Sequence, residues 1–175
     1  MNHADHVALI REGVLGGGSL WADLGSGSGA FTLALAELLG SGGTIHSVDQ
    51  DQAALRRQAE EMAARFPAVQ LHQLRADFSR PLSLPSLDGI VMANSLHFVA
   101  DKAPLLRSLL QHLRADGRFV LVEYDTDEGN QWVPYPLSFS SWVDRAADVG
   151  LRDTRRLASV PSRFLGSVYS ALSLR

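Results

Sequence analysis

The chain has no cysteine among its 175 residues, which excludes disulfides, thiolate zinc sites and a cysteine nucleophile. It also lacks an excess of positive charge. Sixteen Lys and Arg stand against nineteen Asp and Glu, a formal net charge of −3, so nothing global draws it to nucleic acid or to an anionic membrane. No apolar run approaches the ~20 residues of a transmembrane helix. The opening MNHADHVALIREGV has neither the basic start nor the long apolar stretch of a signal peptide. Internal repeats and low-complexity linkers are missing too. These absences point to a cytoplasmic protein for which neither a membrane nor a nucleic acid is an expected partner. What remains is 46% hydrophobic, enough for one sizeable core, and residues 1–175 read as a single domain.

Strand and helix patterns alternate along that domain. LWADLG (20–25) reads as a short buried strand running into a glycine turn, and AFTLALAELLG as an enclosed helix ending at Gly40. TIHSVD (44–49) is a second strand. From Asp51 to Phe66, Leu55, Ala59, Met62 and Phe66 recur at helical spacing, opposite Arg56, Arg57, Glu60 and Glu61. VQLHQLRAD and DGIVMAN supply strands three and four. Asp101 is positioned to cap a helix striped by Leu105, Leu106, Leu109, Leu110 and Leu113, with Asp116-Gly117 as its end and RFVLVEYD as strand five. SFSSWVDRAADVG predicts another helix. Extended segments at about 152–160 and 166–174 follow, separated by a turn at Pro161-Ser162. Alternation of this kind predicts an α/β fold with a mostly parallel seven-stranded sheet and helices on both faces. No helix separates the final two segments, so the last strand is expected to be antiparallel.

In such a sheet, ligands bind at the carboxyl ends of the strands. ADLGSGSGAF places Gly25, Gly27 and Gly29 there, between a strand and a helix. Gly25-x-Gly27-x-x-Ala30 also satisfies a dinucleotide fingerprint. Asp23 argues against that ligand. A carboxylate ~5 Å from a phosphate costs roughly 3 kcal/mol at an effective dielectric of ~20. Toward a cation the same interaction is favourable, and S-adenosylmethionine carries a sulfonium and an ammonium but no phosphate.

With these residues the sequence resembles the class I (Rossmann-like) S-adenosylmethionine-dependent methyltransferases, from roughly Leu20 to Arg175. Their first motif, an acidic residue followed by x-Gly-x-Gly-x-Gly, is matched by Asp23-Leu24-Gly25-Ser26-Gly27-Ser28-Gly29. The resemblance implies that Asp23 and the backbone from Gly25 through Ser26 and Gly27 to Gly29 border the methionine part of the cofactor. It further implies that Asp49 accepts from the ribose hydroxyls with Gln50 beside the adenosine. Asp77 would accept from the adenine amino group with Phe78 near the ring, and Asn94 would border the transferable methyl.

Methyl transfer needs a base only when the acceptor must lose a proton, and the family shares no universal catalytic residue. His97 in ANSLHFV is the nearest candidate, as general base or as an acceptor contact. Glu123 and Asp125, at the end of strand five, are rivals. Trp132 and Tyr135, in the aromatic and proline-rich GNQWVPYPLSF, are candidate walls of the acceptor pocket. His3 and His6 share a helical face, but no third ligand accompanies them and no metal is expected. The family's enzymes that methylate amino groups of nucleic-acid bases carry two prolines and an aromatic after strand four. Here that position reads Asn94-Ser95-Leu96-His97.

The expectation is therefore transfer of a methyl group from S-adenosylmethionine to oxygen or nitrogen of a small-molecule acceptor. The alternatives are an NAD(P)-dependent oxidoreductase and a non-catalytic S-adenosylmethionine-binding partner subunit. With no long insertion to form a lid, the acceptor site is expected to be open, or closed by the helical first 18 residues or by the second subunit of a homodimer.

Overall fold

The computed structural model describes residues 1–175. The first half of the chain forms α1 (His3–Val14), β1 (Leu20–Leu24), α2 (Ala30–Leu39), β2 (Thr44–Asp49), α3 (Gln52–Arg65) and β3 (Gln70–Arg75). The second half adds β4 (Leu87–Ala93), a single 3-10 turn (Leu96–Phe98), α4 (Lys102–Leu110), β5 (Leu113–Tyr124), α5 (Phe139–Asp148), β6 (Arg152–Pro161) and β7 (Ser167–Leu174). Polar side chains cap every α-helix but α2, which starts after Gly29. Asn2 and Asp5 form a reciprocal capping box on α1, Asp51 accepts from Ala53 and Ala54 at α3, and Asp101 caps α4. No helix is long and apolar enough to cross a membrane.

All seven strands join one sheet in the order β3-β2-β1-β4-β5-β7-β6. The first five are mutually parallel, and β7 runs antiparallel to both β5 and β6, as the missing crossover helix predicts. Alternate residues feed two cores. Phe119 and Leu121 of β5 face Leu106 and Trp142 from α4 and α5. Val120 and Val122 face the opposite layer, with Trp21, Leu35 and Ile10. Along α1, Val7, Leu9, Ile10 and Val14 are buried, so the body of the N-terminal segment is part of the core.

Two details differ from the sequence pattern. The fourth helix stops at Leu110, and Leu113 opens β5 opposite Leu87 instead of closing the helical stripe. A bulge takes up the residues between Leu113 and Arg118, with Asp116 in the left-handed region. Leu113 fits either pattern, and its pairing with Leu87 decides. The β3-to-β4 connection, 76–86, contains no helix, which leaves most of β3 exposed at the sheet edge.

Candidate active site

Strand order reverses between β1 and β4, and the carboxyl ends of β1 to β4 surround a cleft of about 280 Å³. Gly25 lines it after β1; Asp49, Gln50 and Asp51 after β2; Ala76, Asp77 and Phe78 after β3; Asn94, Ser95 and Phe98 after β4. The glycine loop is tied down from beneath, since the N–H groups of Gly25 and Ser26 both donate to Val48 O. Gly25 has φ +75, and a Cβ there would come within 2.5 Å of Ser95 Cβ. Only glycine fits. Gly27 has φ +52, but its missing Cβ would meet nothing within 4 Å, so this position faces open space.

The chemistry of the lining is one-sided. It holds three carboxylates, Asp49, Asp51 and Asp77, and no cationic side chain. The hydroxyl O–H and the backbone N–H of Ser79 both donate to Asp77 and hold its carboxyl below the usual range, and the N–H groups of Ala54 and Ala53 do the same for Asp51. Asn94 has φ 51, an uncommon conformation for a residue other than glycine, and its Oδ1 is buried without a partner. Carboxylates and an unused carbonyl oxygen suit a ligand rich in hydrogen-bond donors and positive charge. They repel a pyrophosphate. S-adenosylmethionine therefore fits this lining, and a dinucleotide does not.

Asp49 does more than border the cleft. Its Oδ2 accepts the N–H of Gly27 at 2.7 Å and its Oδ1 that of Asp51 at 2.8 Å, so it links the glycine loop to the end of β2. A carboxylate has about four lone-pair sites, which leaves acceptor capacity for a ligand's hydroxyls.

Asp23, Ser26, Gly27 and Gly29 do not line the cleft. Ser26 turns its hydroxyl inward to Ser47 at 2.8 Å. Asp23 is 1% exposed and accepts from the Thr32 hydroxyl at 2.6 Å. Burial pushes its carboxyl up to about 7, against the smaller opposing effect of Thr32. Beneath the loop a chain of buried polar groups runs from Asp23 through Thr32 and Gln58 to Ser47 and Gln73. The sequence hinted at this only through polar residues at otherwise apolar positions.

His97 sits on the turn after β4, 3% exposed. Its Nδ1 is 2.8 Å from Glu123 Oε2, and its backbone N–H donates to Oε1 of the same carboxylate. Glu123 is fully buried, so its carboxylate faces His97 and not an open pocket. With Nδ1 occupied, Nε2 is the spare ring nitrogen. The imidazole lies 4.3 Å from the ring of Phe98, at the cleft, and 6.0 Å from that of Tyr124.

The other candidates lie elsewhere. Asp125 pairs with Arg156 at 2.6 Å and accepts the Phe139 N–H. Trp132 and Tyr135 are 65% and 48% exposed and line no cavity. Tyr135 contributes through its backbone. Its N–H donates to His97 O, and its carbonyl accepts from Lys102 Nζ, whose pKa burial lowers. Cleft residues beyond those singled out in the sequence are Asp51, Ala76, Ser95 and Phe98. Their nearness to Asp49, Asp77 and Asn94 in sequence was the available signal. No three His, Asp or Glu side chains assemble into a metal-binding group.

A family model described as a methyltransferase domain matches residues 22–119, more than half of the chain. No protein of curated function matches the sequence. Among solved structures, YcgJ from Bacillus subtilis superposes with TM-score 0.77 at 14% identity, covering 99% of each chain. A SAM-dependent methyltransferase from Aquifex aeolicus gives 0.73 at 18%, covering 97% of this chain and 89% of that one. Coclaurine N-methyltransferase, bound to N-methylheliamine and S-adenosylhomocysteine, gives 0.70 at 18%, and 88% of this chain spans 51% of it. The chain belongs to the methyltransferase-domain family and has the Rossmann-like fold of S-adenosylmethionine-dependent methyltransferases.

Proposed function

We propose that the protein transfers the methyl group of S-adenosylmethionine to an oxygen or nitrogen of a small-molecule acceptor, with His97 as the base. The observation that carries the donor half is the cleft lining of three carboxylates and no cation at the strand-order reversal. In this reading Asp49 and Gln50 hold the ribose, Asp77 and Phe78 the adenine, and the loop from Gly25 to Gly29, with Asn94 beside it and Asp23 buried beneath it, borders the methionine end. When bound, the cofactor supplies an already activated methyl and a neutral thioether leaving group.

The protein's task is then alignment and one proton. Holding the acceptor in line with the methyl, away from water, is worth several kcal/mol by orientation alone. As the new O–C or N–C bond forms, the acceptor's proton passes to His97 Nε2. Glu123 fixes the ring through Nδ1 and stabilises the imidazolium that results. A pair built in this way favours a catalytic chain over a non-catalytic partner subunit. The small-molecule acceptor is supported by the lack of excess positive charge in the chain and by the N-methylheliamine held by coclaurine N-methyltransferase.

The test uses S-adenosylmethionine labelled with deuterium at the methyl group and mixed small hydroxyl and amine acceptors, with mass spectrometry of the products. Labelled O- or N-methyl products from the wild type, and a large loss with His97→Gln, are expected. Label found only on carbon would contradict the acceptor assignment.

A further inference from the structure

A second cavity, about 810 Å³, shares no lining residue with the cleft just described. The first residues of the chain, the end of β5 at Tyr124 and the turn joining β6 to β7 border this open hollow. A run of rings connects the two spaces. Phe98 borders the cleft and lies 4.3 Å from His97; His97 lies 6.0 Å from Tyr124; Tyr124 lies 5.9 Å from Phe164, inside the second cavity. His97 lines neither space, but its ring neighbours one wall residue of each, Phe98 and Tyr124.

We propose that this cavity takes a hydroxylated aromatic acid, its ring packed against the touching rings of Tyr124 and Phe164 and its acidic group on Arg163. The proposal rests on the methyltransferase reading and adds the acceptor's chemistry to it. The walls are flat and apolar, made by Tyr124, Val160, Pro161, Phe164 and Val168. Phe164 is 50% exposed, a large ring left uncovered at the rim. Aromatic ligands gain most from such surfaces, through offset or edge-on ring contacts. The polar end carries one basic and one acidic side chain, Arg163 and Asp5. Asp5 is engaged by the Asn2 backbone N–H in the capping box. Arg163 joins none of the ion pairs, which use Arg114, Arg145, Arg152 and Arg156 instead. A guanidinium outside the ion pairs, beside an exposed aromatic ring, selects a carboxylate in preference to a neutral group. A phenolic hydroxyl is the nucleophile suited to a neighbouring base, because it must lose a proton to attack.

The experiment is calorimetric titration of the full chain, saturated with S-adenosylhomocysteine, with 4-hydroxycinnamate and 3-hydroxybenzoate, each compared with its methyl ester. The acids are expected to bind about tenfold or more tightly than the esters. Arg163→Gln is expected to abolish that preference while leaving the esters unchanged, and Phe164→Ala to weaken acids and esters alike. Neither change should alter binding of S-adenosylhomocysteine, since neither residue borders its cleft. Equal affinity for acid and ester, an acid preference that survives Arg163→Gln, or no binding of any probe to the saturated protein would each overturn the proposal. Failure of S-adenosylhomocysteine itself to bind would bring down the methyltransferase reading together with it.

Discussion

Nδ1 of His97 and Oε2 of Glu123 lie 2.8 Å apart, with side chains 4% and 0% exposed. The same carboxylate also receives the His97 backbone N–H, so the turn after β4 and the end of β5 are joined at two points. A ring held this way has one nitrogen left for chemistry.

If that nitrogen takes the acceptor's proton, the effect of removing it depends on the acceptor. For a hydroxyl acceptor that is un-ionised at the assay pH, His97→Gln should lower turnover by about 100-fold. For a phenol already ionised at that pH, the loss should be about tenfold or less. Glu123→Gln should show the same contrast on a smaller scale, with affinity for S-adenosylhomocysteine unchanged. Single-turnover rates across phenols of graded acidity provide the check. Equal losses for both kinds of acceptor would mean that His97 only shapes the site.

Asp23 should make the protein sensitive to pH. Its carboxyl titrates near about 7 in the folded chain, against an ordinary value near about 4, because burial disfavours the charge. The folded state therefore holds this proton more tightly than the unfolded state. Stability of the unliganded protein should fall as pH rises through that window, by about 4 kcal/mol at most. Asp23→Asn should flatten this part of the curve. A ligand ammonium near the loop favours the ionised form, so S-adenosylhomocysteine, through its amino group, should bind more tightly at pH 7 than at pH 5.5 in the wild type, and nearly equally in Asp23→Asn. Denaturant melts and titrations across that range measure both effects; parallel curves for the two proteins would contradict them.

Asp49→Ala removes an acceptor for ligand hydroxyls and also releases the N–H groups of Gly27 and Asp51. Affinity for S-adenosylhomocysteine should fall by about 1–3 kcal/mol, with a measurable drop in melting temperature. Asp49→Asn keeps one oxygen acceptor and should recover more of the stability than of the affinity. Calorimetry and thermal melts of the two variants separate these contributions.

Gly27→Val adds a side chain that meets no protein atom close to its Cβ. The cost to folding should be confined to backbone strain at φ +52, about 1–3 kcal/mol. Binding of S-adenosylhomocysteine should nonetheless be lost, because the new side chain enters the space above the loop. A folded variant with normal affinity would show that the ligand does not approach Gly27.

Much of this was legible in the sequence because it is local. The strand-turn-helix around Gly25, the caps at Asp51 and Asp101 and the acids after β2 and β3 are written in consecutive residues. The end of α4 was not legible, since Leu113 suits a helical stripe and a strand equally until Leu87 pairs with it. The partnership of His97 and Glu123 spans 26 residues, and two parallel strands bring the groups together. Glu123 alone reads as a solvated carboxylate at a strand end. Nor could the pattern separate Trp132 and Tyr135, exposed on their loop, from Phe98 at the cleft.

The central claim is that the acidic cleft receives S-adenosylmethionine and not a dinucleotide. Calorimetric titration of the unliganded protein with S-adenosylhomocysteine, NAD and NADP tests it most directly. The account predicts saturable one-to-one binding of S-adenosylhomocysteine that Asp49→Ala weakens, and no binding of either dinucleotide. Saturable binding of NAD or NADP, with none of S-adenosylhomocysteine, would contradict it.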